Sequence, residues 1–307
     1  MSFFSLLAAF LLEQVRPLGR DNRLLALFRG YAETIERNFN AGQHRHGVMG
    51  WLLAVGVPTL AALFIYYLLH GITPLLAWML NAGVLYYTVS LRQVRKPYGV
   101  IGDALRNGDL PAAKAALQEW TGRPADALSA AEVAKLAIEH RLLDAHRNGF
   151  AVMAWFLVVP GPCGALLYRL ASELDRDWGA RSDDEFGRFG EFARTAFAAL
   201  DWVPARLTAA SFAVAGDFED AVYCWRSQAM TWIPHRQGIL LATGAGAMGV
   251  RLGSAVQEGP TVRFRPELGT GDEADADYMR SASGLVWRVL ALWMGLVLLV
   301  SIANWVG

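Results

Sequence analysis

Cysteine is nearly absent: Cys163 and Cys224 are the two in 307 residues. Two thiols build neither a disulfide framework nor, alone, a metal site, which excludes a small stapled secreted fold and a zinc domain. They read as inert buried thiols. Charge is also scarce. Asp, Glu, Lys and Arg make up 18% of the chain, where soluble domains are nearer a quarter. Neither sign is in excess, with 28 basic against 28 acidic residues, so nothing points to nucleic acid as a partner. The N-terminus, MSFFSLLAAFLLEQ, lacks a basic n-region and a small-residue cleavage pattern, and reads as uncleaved. Its apolar run is too short to cross a core that needs about 20 residues. That leaves a partly inserted or re-entrant helix. The glycine-rich GILLATGAGAMGVRLG at 238–253 lacks the GKS or GKT ending of a phosphate loop. His140 and His146 lie six apart, off one helix face, so they do not form a metal pair; His235 has no partner in spacing either.

Apolar residues are abundant: 54% of the chain, with mean hydropathy +0.27 and eleven tryptophans. Indoles collect at the membrane–water interface. The balance is that of an integral membrane protein with sizeable polar loops.

Residues 13–46 carry Arg16, Arg20, Arg23, Arg29, Arg37 and Arg45, while Leu24, Leu27, Phe28, Tyr31 and Ile35 repeat at helical spacing. This predicts an amphipathic surface helix, drawn to anionic lipid or serving as a positive-inside flank. His44 and His46 flank Arg45 and read as interfacial. Gly47 to Leu69 is the first span. Gly71 and Pro74 break it, and Ile72 to Leu91 returns as a tight helical hairpin. Arg92, Arg95 and Lys96 follow, placing both flanks in the cytoplasm.

Residues 97–146 are polar. Asp109 caps a predicted helix at 110–120, and Ser129 with Glu132 forms a capping box for a second from Ala130 to His146. Phe150 to Ala171 is a hydrophobic stretch interrupted by PGPCG, which predicts a broken or re-entrant helix. A charged segment, Ser172 to Arg194, includes Asp183, Asp184 and Glu185. Phe197 to Gly216 is apolar but holds Asp201, Pro204 and Arg206. Charges in such a run face a partner or a water-filled cavity, and the proline frees a carbonyl that something must satisfy. DWVPAR therefore reads as the mouth of a polar site. An amphipathic helix (218–230), a small-residue segment read as a tightly packed or re-entrant helix (238–253), a loop (259–271) and a final span (284–306) complete the chain.

The order of GDLPAAKAAL, IEH, GPCGALLYRLASELD, LDWVPARLTA, MGVRLG and RPELG is similar to the CobD/CbiB membrane family of cobalamin biosynthesis, over roughly residues 100–300. The first ninety residues, with LLEQVRPLG and an early hairpin, look more like AmpE, a related inner-membrane protein linked to β-lactamase induction. The CobD/CbiB resemblance implies an adenosylcobinamide-phosphate synthase, which uses ATP to join cobyric acid to an aminoalcohol phosphate through an amide bond. It implies Mg²⁺ and ATP as cofactors, a corrinoid as substrate, and no structural metal. Departures are clear. EHRLLDAHRNG replaces an acidic stretch, leaving Glu139 and the Asn148–Gly149 pair in matching places, and Thr195–Ala198 lacks paired acids. Retained are Asp175, Pro204, Arg206, Arg251, Arg265 and Pro266.

The resulting expectations are specific. The fold is an all-α polytopic bundle: 1–91 a short helix, amphipathic segment and hairpin; 92–149 a cytoplasmic helical insert; 150–307 a C-terminal membrane region, with about five spans in all. Asp175 and Glu139 are the catalytic pair and hold Mg²⁺. Arg206, Arg251, Arg265 and Asp201 bind phosphate or substrate. Forming an amide from a carboxylate needs phosphoryl activation, hence a metal on carboxylates and cations along the phosphates. The partners are the lipid bilayer of the bacterial inner membrane and a small molecule; a homo-oligomer stays open. The alternative is a non-catalytic AmpE-like regulator, favoured by the eroded acidic stretch.

Overall fold

Fourteen α-helices among the described residues leave little room for anything else. The computed structural model describes residues 2–15, 23–89, 95–181, 186–258 and 261–306. Arg16, Arg20 and Arg92 of the basic flanks, and Asp183, Asp184 and Glu185, lie outside the described residues. The chain divides into two compact units, each discontinuous in sequence: residues 1–90 with 147–204, and residues 91–146 with 205–307.

The first unit opens with α1 (Ser2–Val15) and α2 (Arg23–Phe39). Helix α2 buries Phe28, Ala32 and Ile35 and leaves Leu24, Leu27 and Tyr31 exposed. The first span begins as α3 (His44–Trp51), passes through a π-turn (Leu52–Gly56) and continues as α4 (Val57–Ile72). Thr73 ends it and caps α5 (Pro74–Thr88), accepting from the Leu76 amide at 3.4 Å, with Pro74 in the first turn where its missing N–H costs nothing. The hairpin is thus one residue tight. Helices α9 (Ala151–Val158) and α10 (Cys163–Asp177) flank the PGPCG break. A β-carbon on Gly164 would lie 2.0 Å from the Trp155 carbonyl, so only glycine lets the second helix start that close to the first. Helix α11 (Glu191–Ala215) runs unbroken through Pro204. Phe150, Tyr168, Trp178, Phe186, Phe189 and Phe197 fill the core.

The second unit holds α6 (Arg95–Arg106), α7 (Leu110–Thr121) and α8 (Ala130–Ala145). Asp109 caps α7, and the Ser129–Glu132 box is formed in both directions at 3.3 and 2.7 Å. Helix α12 (Phe218–Gln228) packs on α13 (His235–Met248), which is buried on every side from Gly238 to Ala247. Its small residues allow that. Gly246 lies against the Asp220 carbonyl, and Gly244 against the Leu142 side chain. The glycine-rich segment is a packed core helix, not a re-entrant one. Helix α14 (Ala276–Val306) closes the chain.

One correction follows. The protein is not all-α. Strands β1 (Val250–Gly253), β4 (Glu267–Leu268) and β5 (Asp272–Glu273) form a sheet in the order β4-β1-β5, antiparallel to β4 and parallel to β5. Strands β2 (Val256–Glu258) and β3 (Thr261–Arg263) form an antiparallel pair. At two to four residues each they are too short to show an alternating pattern. Two helices among the described residues are both long and apolar enough to cross a membrane, His44–Ile72 and Ala276–Ala303, beside an expectation of about five spans. Helix α5 has 15 residues, which at about 1.5 Å per residue falls short of a ~30 Å core.

Candidate functional site

The charged end of α10 organises the polar interior of the first unit. Tyr168, Ser172 and Asp175 recur at helical spacing, and so do Arg169, Glu173 and Asp177 one column over. Each column meets arginines from elsewhere. Arg147 stands in a π-turn (His146–Phe150) that joins α8 to α9; such turns recur at functional sites. Its Nε donates to Ser172 Oγ at 2.5 Å, and its Nη2 to the Ser172 carbonyl at 2.8 Å and to Asp175 Oδ2 at 2.9 Å. The guanidinium carbon lies 4.7 Å from the centre of the Phe197 ring, a cation–π arrangement. In the second column Glu173, 2% exposed, takes Arg29 on Oε2 and Arg169 on Oε1, each at 3.2 Å. Arg169 also donates to Asn148 Oδ1.

The electrostatics follow from that packing. Burial, the largest influence on Glu173, pushes its carboxyl up, but Arg169, Arg176 and Arg29 together outweigh it and hold it below the usual carboxylate range. Asp177, with Arg29 at a looser 3.9 Å, goes the other way: burial and the neighbouring Glu173 charge raise it.

Asp201 is buried on α11, where its Oδ1 accepts from the Tyr168 hydroxyl at 2.7 Å. One turn on, Pro204 has no N–H to give the Leu200 carbonyl, and the Trp155 indole N–H takes that place at 3.1 Å. The freed carbonyl has its donor.

In the second unit the focus is Glu139 on α8. Its Oε1 accepts from the Gly253 amide at 2.8 Å and its Oε2 from Arg265 Nη1 at 2.5 Å, with both side chains 7% exposed. Arg265 further donates to the Ser254 and Gly253 carbonyls and faces the Trp232 ring at 5.4 Å. The β1–β4 pairing makes this possible, setting Gly253 opposite Glu267. A β-carbon on Gly253 would collide with the Pro266 carbonyl at 2.0 Å. Buried Lys135 donates to Ser254 Oγ at 2.8 Å from one turn earlier on α8.

Of the residues singled out from sequence, Glu139 and Arg265 meet directly. Arg251 is exposed and reaches Glu267 at 4.0 Å. Arg206 is half-buried on α11. Asp175 and Asp201 belong to the first unit, and Glu139, Arg206, Arg251 and Arg265 to the second. Sequence reasoning missed Arg147, Ser172, Glu173 and Lys135. For α10 the signal was available in the column spacing of YRLASELD. Arg147 had none, because a π-turn shifts the helical register without a residue that marks it. His146 is bonded through Nδ1 to Thr208 Oγ1 at 2.9 Å, His140 packs edge-on against Trp120, and His235 meets the Trp232 carbonyl.

These features define a class: a mostly helical protein with buried arginine–carboxylate networks and apolar helices of membrane-crossing length. The family follows from the sequence comparison. The CobD/Cbib protein family matches residues 6–286, and the chain belongs to that family. The match takes in the first ninety residues as well, so they stand within the same family. A protein of Stutzerimonas stutzeri (strain A1501) named cobalamin biosynthesis protein CobD is 37% identical over 303 residues, 97% of each chain. A protein of that name from Chromobacterium violaceum is 36% identical over 229 residues, 75% of this chain and 73% of its own. Another, from Leptospira interrogans, is 24% identical over 277 residues, 86% and 85%. No solved structure gives a significant match.

Proposed function

We propose that this protein is the amide-forming synthase of cobalamin biosynthesis, a multi-pass protein of the bacterial inner membrane. It joins a carboxylate of cobyric acid to the amine of an aminoalcohol phosphate, converting ATP to ADP and phosphate. The observation that carries the proposal is family membership across nearly the whole chain, with 37% identity to a CobD at 97% coverage of both. The chemistry is balanced as follows. A carboxylate oxygen takes the terminal phosphoryl group of ATP, and the amine then displaces phosphate to leave the amide.

The residues suit parts of this task unequally. Magnesium is commonly held by one or two carboxylates plus substrate phosphates, and among the described residues no three His, Cys, Asp or Glu side chains gather as a cation site. Asp175 fits that sparse role. Both oxygens of Glu139 are engaged by Arg265 and Gly253, so we assign Glu139 to orienting Arg265 unless that pair opens. Bound magnesium would supply charge neutralisation along the phosphates. Arg251, exposed and loosely paired, is the most available of the phosphate-binding candidates, before Arg206 and Arg265; Asp201, in the other unit, holds the Tyr168 hydroxyl.

Purified protein given Mg-ATP, cobyric acid and an aminoalcohol phosphate should release the amide and ADP. Asp175→Asn should lower kcat by about 100-fold or more, since a neutral amide cannot balance the metal charge. Arg251→Lys should raise KM for the phosphate-bearing substrate, because an ammonium cannot make a two-point contact. Corrinoid binding without turnover would favour the AmpE-like regulatory reading, which the loss of acids around residues 139–149 also suggests. Folded protein that neither binds nor turns over would remove both.

A further inference from the structure

The arginine-rich segment before the first span has no part in the chemistry above, yet one of its residues opens onto a cavity. The cavity, about 520 Å³, is lined by His44, Arg45, Arg188, Glu191, Arg194 and Thr195, all of the first unit. Among the described residues its charges do not balance. Three arginines face one carboxylate, Glu191, and Arg188 already holds that carboxylate through Nε at 2.9 and 3.0 Å. Among the described residues Arg194 gives only its Nε, to the Gly179 carbonyl at 2.8 Å, and no bond of its terminal nitrogens is seen there. Arg45 makes no hydrogen bond or ion pair among the described residues. Two guanidiniums with unused donors beside one cavity are a site for an oxyanion, since guanidinium and phosphate match in geometry.

The surroundings say which oxyanion. His44 and Arg45 begin the helix His44–Ile72, one of the two with membrane-crossing character. Arg45, Met49 and Leu52 fall at i, i+4 and i+7, on one helix face up to the first residue of the π-turn, and Met49 and Leu52 are both exposed. A cation at the helix start is thus followed along the same stripe by bare apolar side chains. Trp51 packs edge-on to Phe192 at 5.5 Å, and His44 to the same ring at 6.1 Å, the aromatic composition of a membrane–water boundary. A free phosphate would use the cations and ignore the stripe. We propose that this cavity binds the phosphate headgroup of an anionic phospholipid, with Arg45 and Arg194 as its cations and an acyl chain lying along Met49 and Leu52.

The proposal rests on the membrane reading of this helix, and the experiment separates the two. Full-length protein is fractionated from lysed cells, purified in detergent, and exposed to phosphatidylglycerol or phosphatidylcholine, with bound lipid counted by native mass spectrometry. Phosphatidylglycerol should be retained in preference. An Arg45→Gln, Arg194→Gln double variant should bind it roughly 30-fold more weakly, from about 5-fold for each basic residue at a lipid surface. Arg106→Gln, an arginine outside the cavity, should match the parent. Inorganic phosphate at equal concentration should not displace the lipid. Equal retention of the two lipids, a double variant that binds as the parent does, or displacement by inorganic phosphate would each overturn the lipid site while leaving the membrane reading intact. Parent protein recovered in the soluble fraction would overturn both.

Discussion

Glu139 and Arg265 illustrate what one ion pair does when it is dry. Both side chains are 7% exposed, and the carboxylate is also tied to the Gly253 amide. Removing either partner leaves a buried charge uncompensated, which costs about 3–5 kcal/mol. Arg251 and Glu267 are half-exposed with their charges 4.0 Å apart, a pair worth about 0–1 kcal/mol. Arg265→Ala should therefore lower thermal stability in detergent far more than Arg251→Ala, although the two arginines flank the same small sheet. Equal losses would mean that Arg265 is solvated and that Glu139 is free for another role. The same contrast explains what the sequence could convey here. RPELG and MGVRLG marked both arginines as of interest, but neither says which one is buried. That depends on the Leu252–Leu268 register of strands too short to read. Lys135 was overlooked for a related reason: a lone lysine on a helix is ordinarily a solvated one, and its burial comes from Ser254, more than a hundred residues away.

At the scale of the element, helix ends were legible and helix defects were only half so. Asp109, the Ser129–Glu132 box and the Pro74 start each act within four residues, so local sequence carries them. PGPCG was recognisable as a break because Pro160, Gly161 and Pro162 interrupt a helix there. The π-turns at Leu52–Gly56 and His146–Phe150 carry no such marker. Pro204 falls between these cases. Its orphaned carbonyl was foreseeable, but the donor, Trp155, comes from another helix. The pairing has a clean test. Trp155→Phe keeps the ring and deletes the donor, leaving the Leu200 carbonyl unsatisfied at a cost of about 1–3 kcal/mol. In a Pro204→Ala background the backbone N–H is restored to that carbonyl, and the same Trp155→Phe change should cost little. Thermal unfolding of the four proteins of this cycle should show a coupling of about 1 kcal/mol or more. Independent, additive effects would mean that the indole contributes packing alone.

For the whole molecule, hydropathy led the sequence reading to count about five apolar stretches as spans, and two of the described helices have the length and apolarity to cross. Helix α5 is short and Phe150–Ala171 is split in two, while α13, which the sequence left as packed or re-entrant, is apolar and buried in protein. Composition alone cannot separate a helix wrapped by protein from one facing lipid. Exposure can. Along His44–Ile72 the side chains of Leu60, Phe64, Tyr67 and Leu68 are bare, and bare apolar surface of that extent marks a face for a membrane or a protein partner. The charge pattern then orients it. Arg23, Arg29 and Arg37 precede the α3–α5 hairpin, Arg45 stands in its first turn, and Arg95 and Lys96 follow it, so both flanks should be cytoplasmic and Thr73 at the tip should face outward. Residues 95–146, with their two capped helices, should then be cytoplasmic. The native thiols Cys163 and Cys224 are buried, so single cysteines can be read against a quiet background once both are changed to serine. Thr73→Cys should react with an impermeant maleimide in intact spheroplasts. Asp126→Cys should react only after permeabilisation. Labelling of Asp126→Cys from outside would invert the orientation, and a Thr73→Cys thiol silent from both sides would mean that the hairpin turns within the bilayer instead of crossing it.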